Sequence, residues 1–271
     1  MSSSFAALAA HWLHESPDLA PAFTHLFLLN VFPYSDVFTT PTAELNGPGA
    51  ERAAQAYAAH GFAPPELSEV AAPDHVGLQL AFLDHLAARN ETAAGAAALA
   101  DLLAWAPAVC LAVQREPDVH PFYHALAQAA LTALFAGAGG DTLALPQPPP
   151  PDPGPLPDPD GEVRLRDLVA YFLAPARCGL WLSRGRLGAI ARTLGLSLPF
   201  GPRAEVAEAL FAAAGSAGQL GALIGALTAE LSIWNGACSA WPPAAASGWL
   251  ARHLQAAAQL TEMSAAFASQ L

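Results

Sequence analysis

Apolar residues recur at three- and four-residue intervals along most of this chain. Phe5, Leu8 and Trp12 share one helical face, and Trp105, Val109 and Ala112 share another. Alternation with period two is sparse, so helix is expected nearly everywhere and strand almost nowhere. Clusters of Gly, Pro and Asn, such as PTAELNGPG and HGFAPPE, interrupt the first half and divide it into six or seven helices. The predicted fold class is all-α: a helical bundle followed by a second helical module. No repeat of fixed period runs through the chain.

One break is of another kind. From Pro146 to Gly161 the chain reads PQPPPPDPGPLPDPDG, a tract that cannot continue a helix and is expected to run as polyproline II. It sets the expected organisation: a helical domain over 1–145, a proline-rich linker over 146–160 and a helical module over 161–271. With 271 residues, 54% of them hydrophobic and 13% charged, the chain is long enough for two modest domains with real cores.

Charge separates the two halves further. All eleven basic residues are arginine. Residues 1–160 hold 17 acids against Arg52, Arg89 and Arg115, a net of −14, whereas the remainder holds six acids against eight arginines, a net of +2. A cationic partner therefore suits the first half, and the chain as a whole, at −12, is a poor ligand for nucleic acid. No apolar run reaches the roughly 18 residues of a membrane span; GALIGALTA is the nearest and soon meets Glu230. The first residues carry no basic group ahead of their apolar part and are not expected to form a secretory signal, which points to the cytoplasm. Cys110, Cys178 and Cys238 are odd in number, widely spaced and without a C-x-x-C, so three buried, reduced thiols are expected.

The stretch PDHVGLQLAFLDHL, Pro73 to Leu86, carries the candidate chemistry. If a helix starts just after Pro73, Asp74 stands where an N-cap carboxylate accepts a free backbone N–H, worth about 1 kcal/mol. Helical spacing then places His75 among Gln79, Phe82 and Leu86 on a largely apolar side. Adjacent residues point about 100° apart on a helix, so the Asp-His pair is no catalytic dyad by itself.

This segment resembles the P-D-H stretch and following L-x-F-L helix of the TorD/DmsD/NarJ family of cytoplasmic chaperones that mature molybdenum-dependent oxidoreductases. Downstream, LLAWAPAVCLAVQREPDVHPFYHALAQAALTAL is similar to that family's helix with Trp-x-Pro, short loop and helix opening on Phe-Tyr. Upstream, HLFLLNVFPYSDVF shares only its general character. The similarity covers roughly residues 20–137. It implies a TorD-like helical bundle without cofactor or catalysis, which binds the twin-arginine leader of an apo-molybdoenzyme catalytic subunit until cofactor insertion is complete. It also implies a peptide-binding set: Pro73, Asp74 and His75, with Gln79 in the following helix, and the aromatic positions Trp105 and Tyr123 in groove or core. Many relatives place acids near this proline and in the following helix, where this chain has Ala71, Ala72 and Gln79. The charge that meets the arginines must then come from Asp74, Glu66, Glu69 or more distant acids. The oligomeric state stays open between monomer and homodimer.

Two rival functions find partial support in the residues: a small-ligand or metal-binding helical enzyme, and a helix-turn-helix DNA-binding regulator. RLGAIARTLGLS has the outline of a first helix and turn of a helix-turn-helix unit with Gly195 at the turn, yet the following RAEVAEALF offers one arginine and two glutamates where a recognition helix needs several base- or phosphate-binding groups. His120 and His124 have the i, i+4 spacing of a metal pair, but no third ligand accompanies them, and Pro121 marks His120 as a helix start. His11 and His14 likewise lack a third ligand. No phosphate-binding loop, dinucleotide fingerprint or nucleophile elbow occurs. The arginines of the second module are expected to serve as a docking surface for the client or for the acidic first half.

Overall fold

The computed structural model describes residues 2–13, 16–65, 72–139 and 165–268. The expected linker, 146–160, lies outside the described residues, as do His14, Glu66, Glu69, Ala71 and Arg164. Among the described residues the structure is all-α; there is no strand, and the sole β-type pairing is an isolated antiparallel bridge between Tyr34 and His75. The chain divides into two compact units, residues 1–149 with 241–245, and residues 150–240 with 246–271.

Seven α-helices make up the described part of the first unit. They are α1 (Ser2–Leu13), α2 (Ala20–Phe23), which continues into a π-helical turn over Thr24–Leu28, α3 (Ser35–Thr39), α4 (Pro48–Ala59), α5 (Val76–Ala88), α6 (Thr92–Arg115) and α7 (Pro121–Ala138). Helix α5 buries Val76, Leu78, Leu80, Phe82, Leu83 and Leu86 and packs closely on α1. Close approach explains Gly77: a Cβ there would fall 2.7 Å from Leu13 Cγ and 3.0 Å from Trp12 Cβ. Trp12, Phe23, Phe27 and Tyr123 form an aromatic cluster, with Phe27 5.2 Å from both Trp12 and Tyr123, centroid to centroid.

Helix α6 is the long core helix, buried from Leu102 to Val113 apart from the half-buried Ala104. Its length and composition are those of a membrane span, with a mean hydropathy of 1.9 over 18 residues, of which 67% are buried inside the protein. The expectation that GALIGALTA comes nearest to a span is thus corrected: α6 does, and Asp101 is what interrupts its apolar run. A helix apolar on most sides is the ordinary requirement of a position surrounded by other helices.

The second unit contains α8 (Leu165–Leu173), α9 (Pro175–Cys178), α10 (Arg184–Thr193), α11 (Arg203–Ser216), α12 (Leu220–Cys238) and, from residue 246 on, α13 (Pro243–Ala268). Ser183 caps α10 by accepting from Arg186 N at 3.0 Å. The arginines here largely serve their own unit. Arg203 donates to the carbonyls of Leu182 and Leu173 at 2.7 and 2.8 Å and lies 3.8 Å over the Trp181 ring; Arg252 donates to the Ala176 carbonyl; Arg186 pairs with Glu230. Cys110, Cys178 and Cys238 are free and buried, and burial pushes their thiols up to about 12, 11 and 12, which keeps them protonated.

Candidate functional site

The P-D-H segment forms a joint between three helices. Asp74 does not cap the helix that follows it. That role falls to His75, whose Nδ1 accepts from Gly77 N at 3.0 Å from an extended backbone. Asp74 instead reaches back to α3: its Oδ2 accepts from Asp36 N at 2.8 Å and from Ser35 Oγ at 3.0 Å. Asp36 repeats the pattern one helix further on, its carboxylate accepting from Gly49 N at 2.7 Å and Ala50 N at 3.0 Å in the first turn of α4. From α4, the Tyr57 hydroxyl donates to the Pro73 carbonyl at 2.8 Å and closes the circuit. Helix N-termini have free N–H groups and a partial positive charge, so two buried carboxylates are stable there without cationic partners.

The electrostatics follow from that burial. Asp74 and Asp36 are both 0% exposed, and Asp74 Oδ1 has no hydrogen-bond partner among the described residues. Desolvation raises the Asp74 pKa above the usual carboxylate value; the Asp36 N–H and Ser35 bonds oppose the shift and the Asp36 charge adds to it. His75 is pushed down to about 3 by burial and is neutral, its ring edge-on to Tyr34 at 5.0 Å. It therefore leaves the apolar side where helical spacing put it. Phe82 and Leu86 pack instead with Leu13, Ala53, Tyr57 and Leu78.

Beside this joint, α4, α5 and α6 leave an open cavity of about 240 Å³. Tyr57 and Phe82, rings 4.9 Å apart, form its aromatic part; alanines of α4 and α6 line the sides; Arg52, His60, Gln79 and Asp101 supply the polar groups. The small side chains keep the trough open between helices. Arg52 to His60 spans eight positions of α4, about 12 Å at 1.5 Å per residue. The two ends differ. At one, His60 Nδ1 pairs with Glu91, which also accepts from Arg89 Nε at 2.6 Å. At the other, Arg52 and Asp101 carry opposite charges, yet neither makes a hydrogen bond or ion pair with the described residues.

The residues expected from the family resemblance fall into three groups. Gln79 lines the cavity. Pro73, Asp74 and His75 build the joint behind it, Pro73 half-buried and the other two buried. Trp105 and Tyr123, each 1% exposed, are buried and do not line this cavity. Sequence reasoning missed Asp36, Tyr57, Arg52 and Asp101. For Asp101 a signal existed: it is the one charged residue in the run ALADLLAWAPAVCLA. For Asp36 the nearest signal was its place one residue inside a short helix, in PYSDVF.

The rival features resolve structurally. His120 caps α7, its Nδ1 accepting from Phe122 N at 3.2 Å, and no cluster of three metal-ligating side chains exists among the described residues. The helix-turn-helix outline departs from its type, because residues 194–202 separate α10 from α11, where such a unit joins its helices by a turn of three or four residues. Arg203, at the start of α11, is taken up by Leu182, Leu173 and Trp181.

Residues 3–112 match a family model described as nitrate reductase delta subunit. The match lies wholly within the first unit and covers the joint and the cavity. No curated protein and no solved structure matches the chain.

Proposed function

We propose, on the match of residues 3–112 to the nitrate reductase delta subunit model, that the protein is a cytoplasmic chaperone of the redox-enzyme maturation type, serving a molybdenum-dependent oxidoreductase. In this proposal it binds the twin-arginine leader of the apo-catalytic subunit and holds that subunit until its cofactor is inserted. It acts by binding, not by catalysis.

The observation that carries the peptide-binding part is the cavity between α4, α5 and α6. An aromatic and alanine-lined trough of about 240 Å³, open to solvent, suits apolar side chains of an incoming segment. The trough belongs to a half of the chain with a net charge of −14, which favours a cationic segment over long range. Gln79 contacts the segment directly. Pro73, Asp74 and His75 contribute by fixing Tyr57 and the start of α5, and Trp105 and Tyr123 by filling the core beneath.

Calorimetric titration tests this with a synthetic peptide of two arginines followed by about eight apolar residues, beside a scrambled peptide of equal composition. Saturable binding of the first alone is expected, with affinity falling at higher salt. Co-purification from the host should bring down a molybdoenzyme catalytic subunit. No binding of the peptide together with no such subunit would overturn the proposal.

A further inference from the structure

Three carboxylates gather at one end of the cavity, and they are not equivalent. Asp36 and Asp74 are sealed from solvent and spend their oxygens on the N-termini of α4 and α3. Asp101 is different: it stands on the cavity wall, retains exposure, and has no hydrogen bond or ion pair among the described residues. Across the same end stands Arg52, equally without such a partner. The groups feel one another at a distance: desolvation raises the Asp101 pKa, Arg52 opposes the rise and Asp36 adds to it. Tyr57, between them, is raised by burial and by both Asp74 and Asp101.

Resting on the chaperone reading above, we infer that Asp101 is the acceptor for an arginine side chain of the bound leader, and that Arg52 is a selectivity filter that opposes it. The chemistry is that of a guanidinium. Its fork of donors can take both oxygens of a carboxylate that has no hydrogen-bond partner among the described residues, and its planar face can lie against Tyr57. Asp74 cannot fill this place, because its carboxylate is enclosed and its accepting oxygen is used. Arg52 repels any cationic segment that does not also neutralise itself at Asp101, so a lone positive charge elsewhere in the segment is disfavoured. Among the described residues no carboxylate bonds to Arg52, which keeps it available for that effect.

The test uses the full chain, as wild type, Asp101→Asn and Arg52→Gln, against two synthetic peptides. One carries two arginines ahead of about eight apolar residues, and the other has glutamines in place of the arginines. Wild type should prefer the arginine peptide by about tenfold or more, as expected for a charge-assisted hydrogen-bonded pair. Asp101→Asn should remove most of that preference and weaken its salt dependence, while its circular dichroism spectrum and thermal unfolding match those of wild type; this last readout shows an intact fold. Arg52→Gln should strengthen binding of the arginine peptide severalfold relative to the glutamine peptide. An Asp101→Asn protein that keeps the full arginine preference overturns the inference and leaves the chaperone reading standing, as does a wild type that binds both peptides equally. A wild type that binds neither peptide overturns both.

Discussion

Asp74 offers the sharpest test of the joint. Its carboxylate satisfies two buried donors, Asp36 N–H and Ser35 Oγ–H, through a single oxygen, while Oδ1 has no partner among the described residues. In Asp74→Asn the amide oxygen takes the accepting position, both bonds survive, and the amide nitrogen occupies a site that was already unsatisfied. In Asp74→Ala both donors are orphaned in a site 0% exposed, at about 1–3 kcal/mol each. The alanine variant should thus lose about 2–6 kcal/mol, which at about 2–4 °C per kcal/mol lowers Tm by at least about 4 °C; the asparagine variant should stay within about 1 kcal/mol of wild type. The pH dependence has a definite sign. The folded pKa of Asp74 is raised, so its favourable contribution is complete below the unfolded value of about 3.9 and is lost as pH rises through the folded value. Stability of wild type minus Asp74→Asn should accordingly fall from about pH 4 toward neutrality. Thermal denaturation of the three proteins, followed by circular dichroism from pH 4 to pH 8, reads all of this. If the asparagine variant is as damaged as the alanine variant, or if the difference rises with pH, the carboxylate is needed in its charged form and the assignment as a neutralisable cap is wrong.

Two further outcomes are expected. Gly49→Ala would bring a Cβ to 2.4 Å from Ser35 Oγ and 2.5 Å from Asp36 Oδ1, so the Asp36 cap must open, at about 2–4 kcal/mol in urea denaturation; unchanged stability would show that the cap is dispensable. Arg203→Lys exchanges a guanidinium 3.8 Å over Trp181, donating to two carbonyls, for an ammonium that cannot reproduce that geometry, and should cost about 1–3 kcal/mol in the transition reported by tryptophan fluorescence; no shift would place the hold of Arg203 on its unit elsewhere.

The helical class was legible because apolar spacing is a local property: α1 and α6 appear where Phe5, Leu8 and Trp12, and Trp105, Val109 and Ala112, place them. Single caps were half legible. Pro121 pointed correctly to His120 as a helix start, since both lie in the same turn. Asp74 did not follow the same logic, because its donors lie 38 and 39 positions away and no local pattern encodes them. The cavity was illegible for the same reason. It exists only once α4, α5 and α6 are side by side; Asp101 stood out as the one charge in an apolar run, but nothing local said which helices it would face.

The family resemblance and the structure therefore mark different residues for a physical reason. A motif such as Pro73-Asp74-His75 is easy to see because three functions are compressed into three adjacent positions: a chain reversal accepting from Tyr57, a carboxylate capping α3, and a ring capping α5. Each requires one residue type, so the pattern is tight. A groove that accepts varied apolar side chains makes the opposite demand. Alanine at positions 53, 56, 94, 97 and 98 serves because it is small, and small residues carry little signature in a chain already rich in them. Tyr57 joins the two regions, its hydroxyl held by the Pro73 carbonyl and its ring facing the trough. Under the proposed function, a change at Asp74 or His75 would reach a bound segment only through that ring and the helices it ties, whereas a change at Asp101 would alter the charge the segment meets.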